Sequence, residues 1–325
     1  MAYLDTATDA QPSGLTTNRE ELVLDAMLHT ATTAPYKGSL PTIASSNDQP
    51  RVFMDDLAAV SAAGHIEGND TDGGGDQFTN VGDYRGQSQR WVQTGSVTDE
   101  QGSKDSAVGA DLEGTKQKLL KQCMRNIEHT LVSDQDKIAN VPNTTAGITE
   151  GLGNFTDPTN TNFAADYRCK TDSVFTGALS TLDDAALDAL IASIYKEGGE
   201  YENLTLLAWP KLRSAIVFNT TRNAGTGSRI DYNVQGVGTI PYNVELMDTA
   251  YGKMNMINSN PQTGTEGFGL GYIYDPKYLH LHVQWGERAS TYENRGGGTP
   301  VAVDYFAAHT CQGANRLGKI IPVSA

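Results

Sequence analysis

The 325-residue chain has no long apolar run; stretches such as Leu204 to Trp209 are among its longest. A membrane-crossing helix needs about 20 apolar residues, so a helical span is excluded. Residues Met1 to Ala10 carry no basic segment followed by an apolar one, so no secretory signal is expected. Cysteine is scarce. Cys123, Cys169 and Cys311 are odd in number and far apart, which argues against a disulfide framework and for a reducing compartment. Cations are also in short supply: 24 Lys and Arg face 39 Asp and Glu, a net charge of −15. That sign excludes a protein that grips DNA mainly by neutralising phosphates.

Catalytic templates are missing as well. There is no G-x-x-x-x-G-K-[ST] loop, no H-E-x-x-H helix, no C-x-x-C pair and no G-x-S-x-G elbow. Gly267 to Gly271 lacks dinucleotide spacing and reads as a bend between strands. His280 and His282 fall on one face of an alternating segment, with His309 or Cys311 available as a third metal ligand. Two ordinary histidines on a wet strand face give the same pattern. The expectation is no catalytic residue, no cofactor and no metal.

What the chain does have is glycine and an uneven charge. Glycine supplies 34 residues, against a usual share of about 7%. Residues 1–108 carry 16 acids and 6 bases, and residues 204–325 carry 8 and 10. An acidic first third and a mildly basic last third suit surfaces that meet different partners, or simply a solvated acidic surface.

Residues 1–14 read as a flexible arm, and capping-box spacings at Thr17/Glu20 and Asn18/Glu21 predict a short helix after it. Thr33 to Pro50, with prolines at 35, 41 and 50, reads as irregular. From Ser61 to Ser106 glycines punctuate an Asp/Asn-rich stretch, including Gly73, Gly74 and Gly75, with strand-like pieces around Trp91. So long a segment with little regular structure is either disordered or a projecting functional loop, and the strand-like pieces favour an extended hairpin.

The strongest helix signal runs from about Val108 to Ser133, where Leu112, Leu120, Cys123, Met124, Ile127 and Leu131 recur at three- and four-residue spacing. Lys118, Lys121 and Arg125 share another face, either a solvated stripe or a cationic rail toward an anionic partner. A second helix is predicted over about Leu182 to Glu197 with Thr181 as N-cap, then a buried strand from Leu204 to Ala208 and a third helix opened by Pro210. The rest reads as β, most clearly Tyr278 to Trp285, where apolar and polar residues alternate.

This order of parts resembles the major capsid protein of tailed bacteriophages, the Hong Kong 97-type α+β fold. Thr33-Ala34-Pro35-Tyr36 followed by Val52 to Leu57 resembles the arm-to-loop passage of one branch of that family. Tyr84 to Asp99 resembles its return strand, Gln117 to Leu131 its spine helix, and Tyr274 to Tyr278 with Asn315 to Ile320 its C-terminal third.

The resemblance implies an N-terminal arm (1–60) and an extended inter-subunit loop (61–107) bearing Gly73, Gly74, Gly75 and Trp91. It implies a peripheral domain with the spine helix (108–178), an axial domain (179–270) and returning peripheral strands (271–325). It further implies self-assembly into hexamers and pentamers, a virion location after assembly in the host cytoplasm, and no membrane. Portal, scaffold or decoration proteins would be partners, and packaged double-stranded DNA would lie against Lys118, Lys121 and Arg125 without sequence specificity. The loop's only lysine is Lys104, near its base, which argues against the lysine–asparagine cross-link of the prototype. A nanocompartment shell protein of the same fold and an uncharacterised soluble hydrolase or binding protein are the rival readings.

Overall fold

The computed structural model describes residues 34–55, 81–102, 112–197, 204–222, 246–249, 252–259, 270–294 and 296–323. The helix expected near Thr17, the Gly73 to Gly75 run and Lys104 lie outside the described residues.

The long helix α3 spans Leu112–Val132, after the short helices α1 (Pro35–Ser39) and α2 (Asp99–Gly102) and before the one-turn α4 (Leu152–Phe155). Cys123, Ile127 and Leu131 recur every fourth residue and are fully buried, because four-residue steps keep side chains on one stripe of a 3.6-residue helix. That stripe packs on strands β4 (Ser88–Thr98) and β11 (Gly298–Cys311). Strand β11 pairs antiparallel with β4 on one side and with β10 (Leu279–Thr291) on the other. The short β1 (Thr42–Ala44) adds in parallel to β10, giving the order β1-β10-β11-β4. The expected alternation holds at the start of β10, where Leu279 and Leu281 are buried and His280 and His282 half-buried. Register shifts around Trp285 mark bulges that bend this strand.

A second sheet has six strands in the order β5-β12-β9-β6-β8-β7. These are β5 (Val174–Gly177), β6 (Thr205–Ala208), β7 (Leu246–Thr249), β8 (Gly252–Asn258), β9 (Gly271–Tyr274) and β12 (Gly318–Pro322). Helices α5 (Asp184–Lys196) and α6 (Pro210–Arg222) supply Leu187, Leu190, Ile191, Ile194, Leu212 and Ile216 to its aliphatic core. The N-cap of α5 is Asp183, not Thr181: its carboxylate accepts from the Ala186 amide at 2.8 Å. Strand β6 is buried throughout and Pro210 opens α6, as predicted. Membership of this sheet cuts across the sequence segmentation, since β5, β9 and β12 come from stretches read as peripheral. Strand character shows in periodicity, but a strand's partner does not.

The third sheet is a two-stranded antiparallel ribbon, β2 (Arg51–Met54) with β3 (Gly82–Arg85). Two readings need correction here. Thr33 to Pro50 is not wholly irregular: it holds a five-residue helix, α1 (Pro35–Ser39), and strand β1. Elements this short leave no periodic signal between prolines. Nor does the whole of 61–107 leave the body. Ser88–Thr98 pairs with β11 along its full length, so this part belongs to the main sheet.

The candidate assembly surface and the polar core beneath it

The ribbon β2–β3 is two-faced. Val52, Met54 and Tyr84 point inward and are buried. Phe53 points outward and is 62% exposed, and nearby Val81 is also exposed. Among the described residues Phe53 is the most exposed large hydrophobic side chain, which makes the outer face of the ribbon a candidate contact surface. Arg51 lies over the Phe53 ring at 5.2 Å and donates twice to Asp83, Nε to Oδ1 at 3.0 Å and Nη2 to Oδ2 at 2.5 Å. The hydrogen bond from Arg51 holds the Asp83 carboxyl below its usual range. Ribbons of two strands are marginal alone, so the inner face needs the anchor described next.

Tyr84 Oη donates to Glu150 Oε2 at 2.9 Å, and its ring stacks on Phe163 with centroids 4.6 Å apart. Glu150 is fully buried, and its Oε1 accepts from Asn160 at 2.6 Å and Asn154 at 2.7 Å. Burial raises its carboxyl above the usual range, against the lowering effect of these hydrogen bonds. The loop that carries Glu150 sits tight on the end of α3 because of glycine. A Cβ at Gly151 would lie 2.0 Å from the Ser133 carbonyl oxygen, and one at Gly153 only 1.8 Å from Asp134 Oδ1.

Helix α1 is anchored in the same core. Glu128 of α3 is completely buried, and its two oxygens accept from the backbone N–H groups of Tyr36 and Lys37, each at 2.9 Å. Burial raises this carboxyl too, while the two backbone bonds oppose the rise. The Lys37 ammonium pairs with Glu287 and lies over the Tyr305 ring. Tyr36 Oη meets His309 Nε2 at 3.0 Å, and His309 Nδ1 meets the Glu150 carbonyl at 3.1 Å. Full burial lowers the His309 imidazole to about 4, so it is neutral at pH 7.

None of this network was visible as a motif, since its members lie far apart in sequence. One trace was present. Met124, Ile127, Glu128 and Leu131 have one-face helical spacing, so an acid sits inside the apolar stripe.

The residues singled out from sequence are scattered. Gly73, Gly74 and Gly75 lie outside the described residues. Trp91, expected on the projecting loop, is only 5% exposed and donates from Nε1 to Thr130 Oγ1 of α3 at 3.1 Å. It belongs to the chain's own core: strand alternation turns it toward α3, and its polar nitrogen finds a partner there. Lys118 and Lys121 are exposed and Arg125 half-buried on α3.

The His280 and His282 rings are 6.5 Å apart, and His309 is engaged by Tyr36 and Glu150. Among the described residues no three His, Cys, Asp or Glu side chains gather as a metal site. The three cysteines are free and buried; burial pushes the Cys123 and Cys169 thiols up to about 11 and about 12. Thiols with values so high are inert at neutral pH.

Comparison with known proteins agrees with this architecture. The family model of the SU10 major capsid protein matches residues 9–297. The capsid of a native GTA particle superposes with a TM-score of 0.61 at 13% identity, covering 99% of this chain and 100% of that one. A Microbacterium phage Oxtober96 structure gives 0.61 at 12% identity, with 94% and 96% covered. The capsid structure of the cyanophage P-SCSP1u gives 0.60 at 9% identity, with 94% and 93% covered. At such identities the likeness is one of fold. No curated protein is significantly similar in sequence. The α+β architecture is thus that of the Hong Kong 97-type capsid fold, and the family match spans most of the sequence. The chain belongs to the SU10 major capsid protein family.

Proposed function

We propose that copies of this chain assemble as hexamers and pentamers into an icosahedral shell around phage double-stranded DNA. Its role is structural rather than enzymatic. In this reading α3 and the four-stranded sheet form the peripheral domain, and the six-stranded sheet with α5 and α6 forms the axial domain. The part of the 61–107 loop outside β4, with Gly73, Gly74 and Gly75, reaches a neighbouring copy. Lys118, Lys121 and Arg125 face the packaged DNA and soften its repulsion by an acidic shell. Portal, scaffold or decoration proteins are the further partners, and assembly takes place in the host bacterial cytoplasm.

One observation supports the reading: the ribbon β2–β3 buries one face in the body and leaves Phe53 largely exposed on the other, with Val81 exposed just before β3. An aromatic anchor of this kind gains most from a partner surface. Many weak copies of one contact then hold a closed shell together.

Electron microscopy of the purified protein, with the partner proteins if assembly requires them, tests it. The full chain is expected to form capsomers or shells. A variant lacking residues 66–80 is expected to stay folded and soluble but unassembled. Normal assembly of that variant contradicts the inter-subunit role of the segment.

A further inference from the structure

We propose that helix α1 and the ribbon β2–β3 form one cooperative unit. They dock on the body and leave it together, through the buried relay Tyr36–His309–Glu150–Tyr84. Each link has a fixed direction. The Glu150 carbonyl oxygen can only accept, so His309 carries its proton on Nδ1 and donates to it at 3.1 Å. Nε2 is then an acceptor, and Tyr36 Oη donates to it at 3.0 Å. At the far end Tyr84 Oη donates to Glu150 Oε2 at 2.9 Å.

Glu150 is therefore gripped at its backbone from the α1 side and at its side chain from the ribbon side. Its second carboxylate oxygen is already occupied by Asn154 and Asn160. Thr149, the residue before it, also accepts from the His309 amide at 2.9 Å. Rings follow the same course: Tyr36 meets His309 at 5.7 Å, His309 meets Phe155 at 4.9 Å, and Phe155 meets Tyr84 at 5.7 Å.

The groups on this path are fully buried, so water cannot replace a lost partner. Removing the Tyr36 or Tyr84 hydroxyl leaves a buried acceptor, His309 Nε2 or Glu150 Oε2, short of a donor, and because both acceptors bear on Glu150, a shift of that residue loosens both ends. Tyr36 lies in α1 and Tyr84 in β3, so the stability of one root, 35–40, depends on the state of the other, 82–85. This inference concerns the isolated chain and does not depend on the shell reading.

Hydrogen–deuterium exchange on the unassembled full chain tests it, with wild type, Tyr36→Phe, Tyr84→Phe and the double variant. Tyr36→Phe is expected to speed exchange roughly fivefold or more both in 35–40 and in 82–85. Tyr84→Phe is expected to do the same in reverse, and α5 is expected to keep its protection. The double variant should exchange more slowly than the product of the two single effects. A response confined to each variant's own root, or a simple product in the double variant, overturns the proposal. A second readout needs no substitution: in rising urea the wild-type amides of both roots should open with one common slope. Two separate slopes also overturn it.

Discussion

The two cores of this molecule are built on different physics. The core around α3 is rich in rings and buried polar groups: Tyr36, Tyr84, Trp91, Phe155, Phe163, Trp209, Tyr272, Tyr274 and Tyr305, with Glu128, Glu150 and His309 among them. The second core, on the other face of the six-stranded sheet, buries only Leu, Ile, Met and Ala, with half-buried Phe175 packed against it. Aliphatic burial stabilises by area and is nearly indifferent to direction. Hydrogen bonds and ring edges fix angles as well as distances. The first core is where the chain must hold α1 and the ribbon at set positions, so directional contacts concentrate there.

Substitutions can break this comparison. The largest effect is expected from Glu128→Ala, which leaves one buried and one partly buried N–H group of α1 without an acceptor. The loss should be roughly 4 kcal/mol by urea unfolding, with α1 losing its exchange protection first. Next is Ile191→Ala in the aliphatic core, expected to cost about 3 kcal/mol through a cavity. That variant should leave the relative protection of α1 and the ribbon unchanged. If it loosens them selectively, the two cores are not separate in kind.

A pH series sharpens the contrast. Burial lowers His309 from its ordinary 6.5 to about 4, so the unfolded chain takes up that proton first. The stability it contributes is complete above pH about 6.5 and is lost as pH falls through about 4. Glu128 and Glu150, raised by burial, act with the opposite sign just above the ordinary carboxylate range. The wild-type unfolding free energy from urea titrations should therefore fall between pH 6.5 and 4, by an amount on the order of 2 kcal/mol. His309→Gln should flatten that fall. A wild-type curve already flat over this window contradicts the buried neutral imidazole. The smallest effect is expected from Arg51→Ala, whose ion pair with Asp83 is solvent-exposed; its urea midpoint should not move measurably.

How much of this was legible in sequence follows the same divide. The aliphatic parts read well. Leu204 to Ala208 as a buried strand and Pro210 as a helix opener are local patterns, and so, within the ring-rich core, is the apolar Cys123, Ile127, Leu131 stripe of α3. The relay did not read at all, because Tyr36, Tyr84, Glu150 and His309 meet only through tertiary folding. Trp91 was misplaced for a related reason. Glycines around β4 suggested a loop, while its eleven-residue pairing with β11 is decided by a strand some two hundred residues later. Gly95, one of those glycines, instead brings α3 close: a Cβ there would lie 3.2 Å from Leu119 Cδ1.

The most direct test of the shell account is a cryo-EM map of the assembled particle, read at Phe53. The outward face of the ribbon should be buried against a neighbouring copy, while Trp91 keeps its place under α3. Phe53 left facing solvent in every subunit would contradict the account.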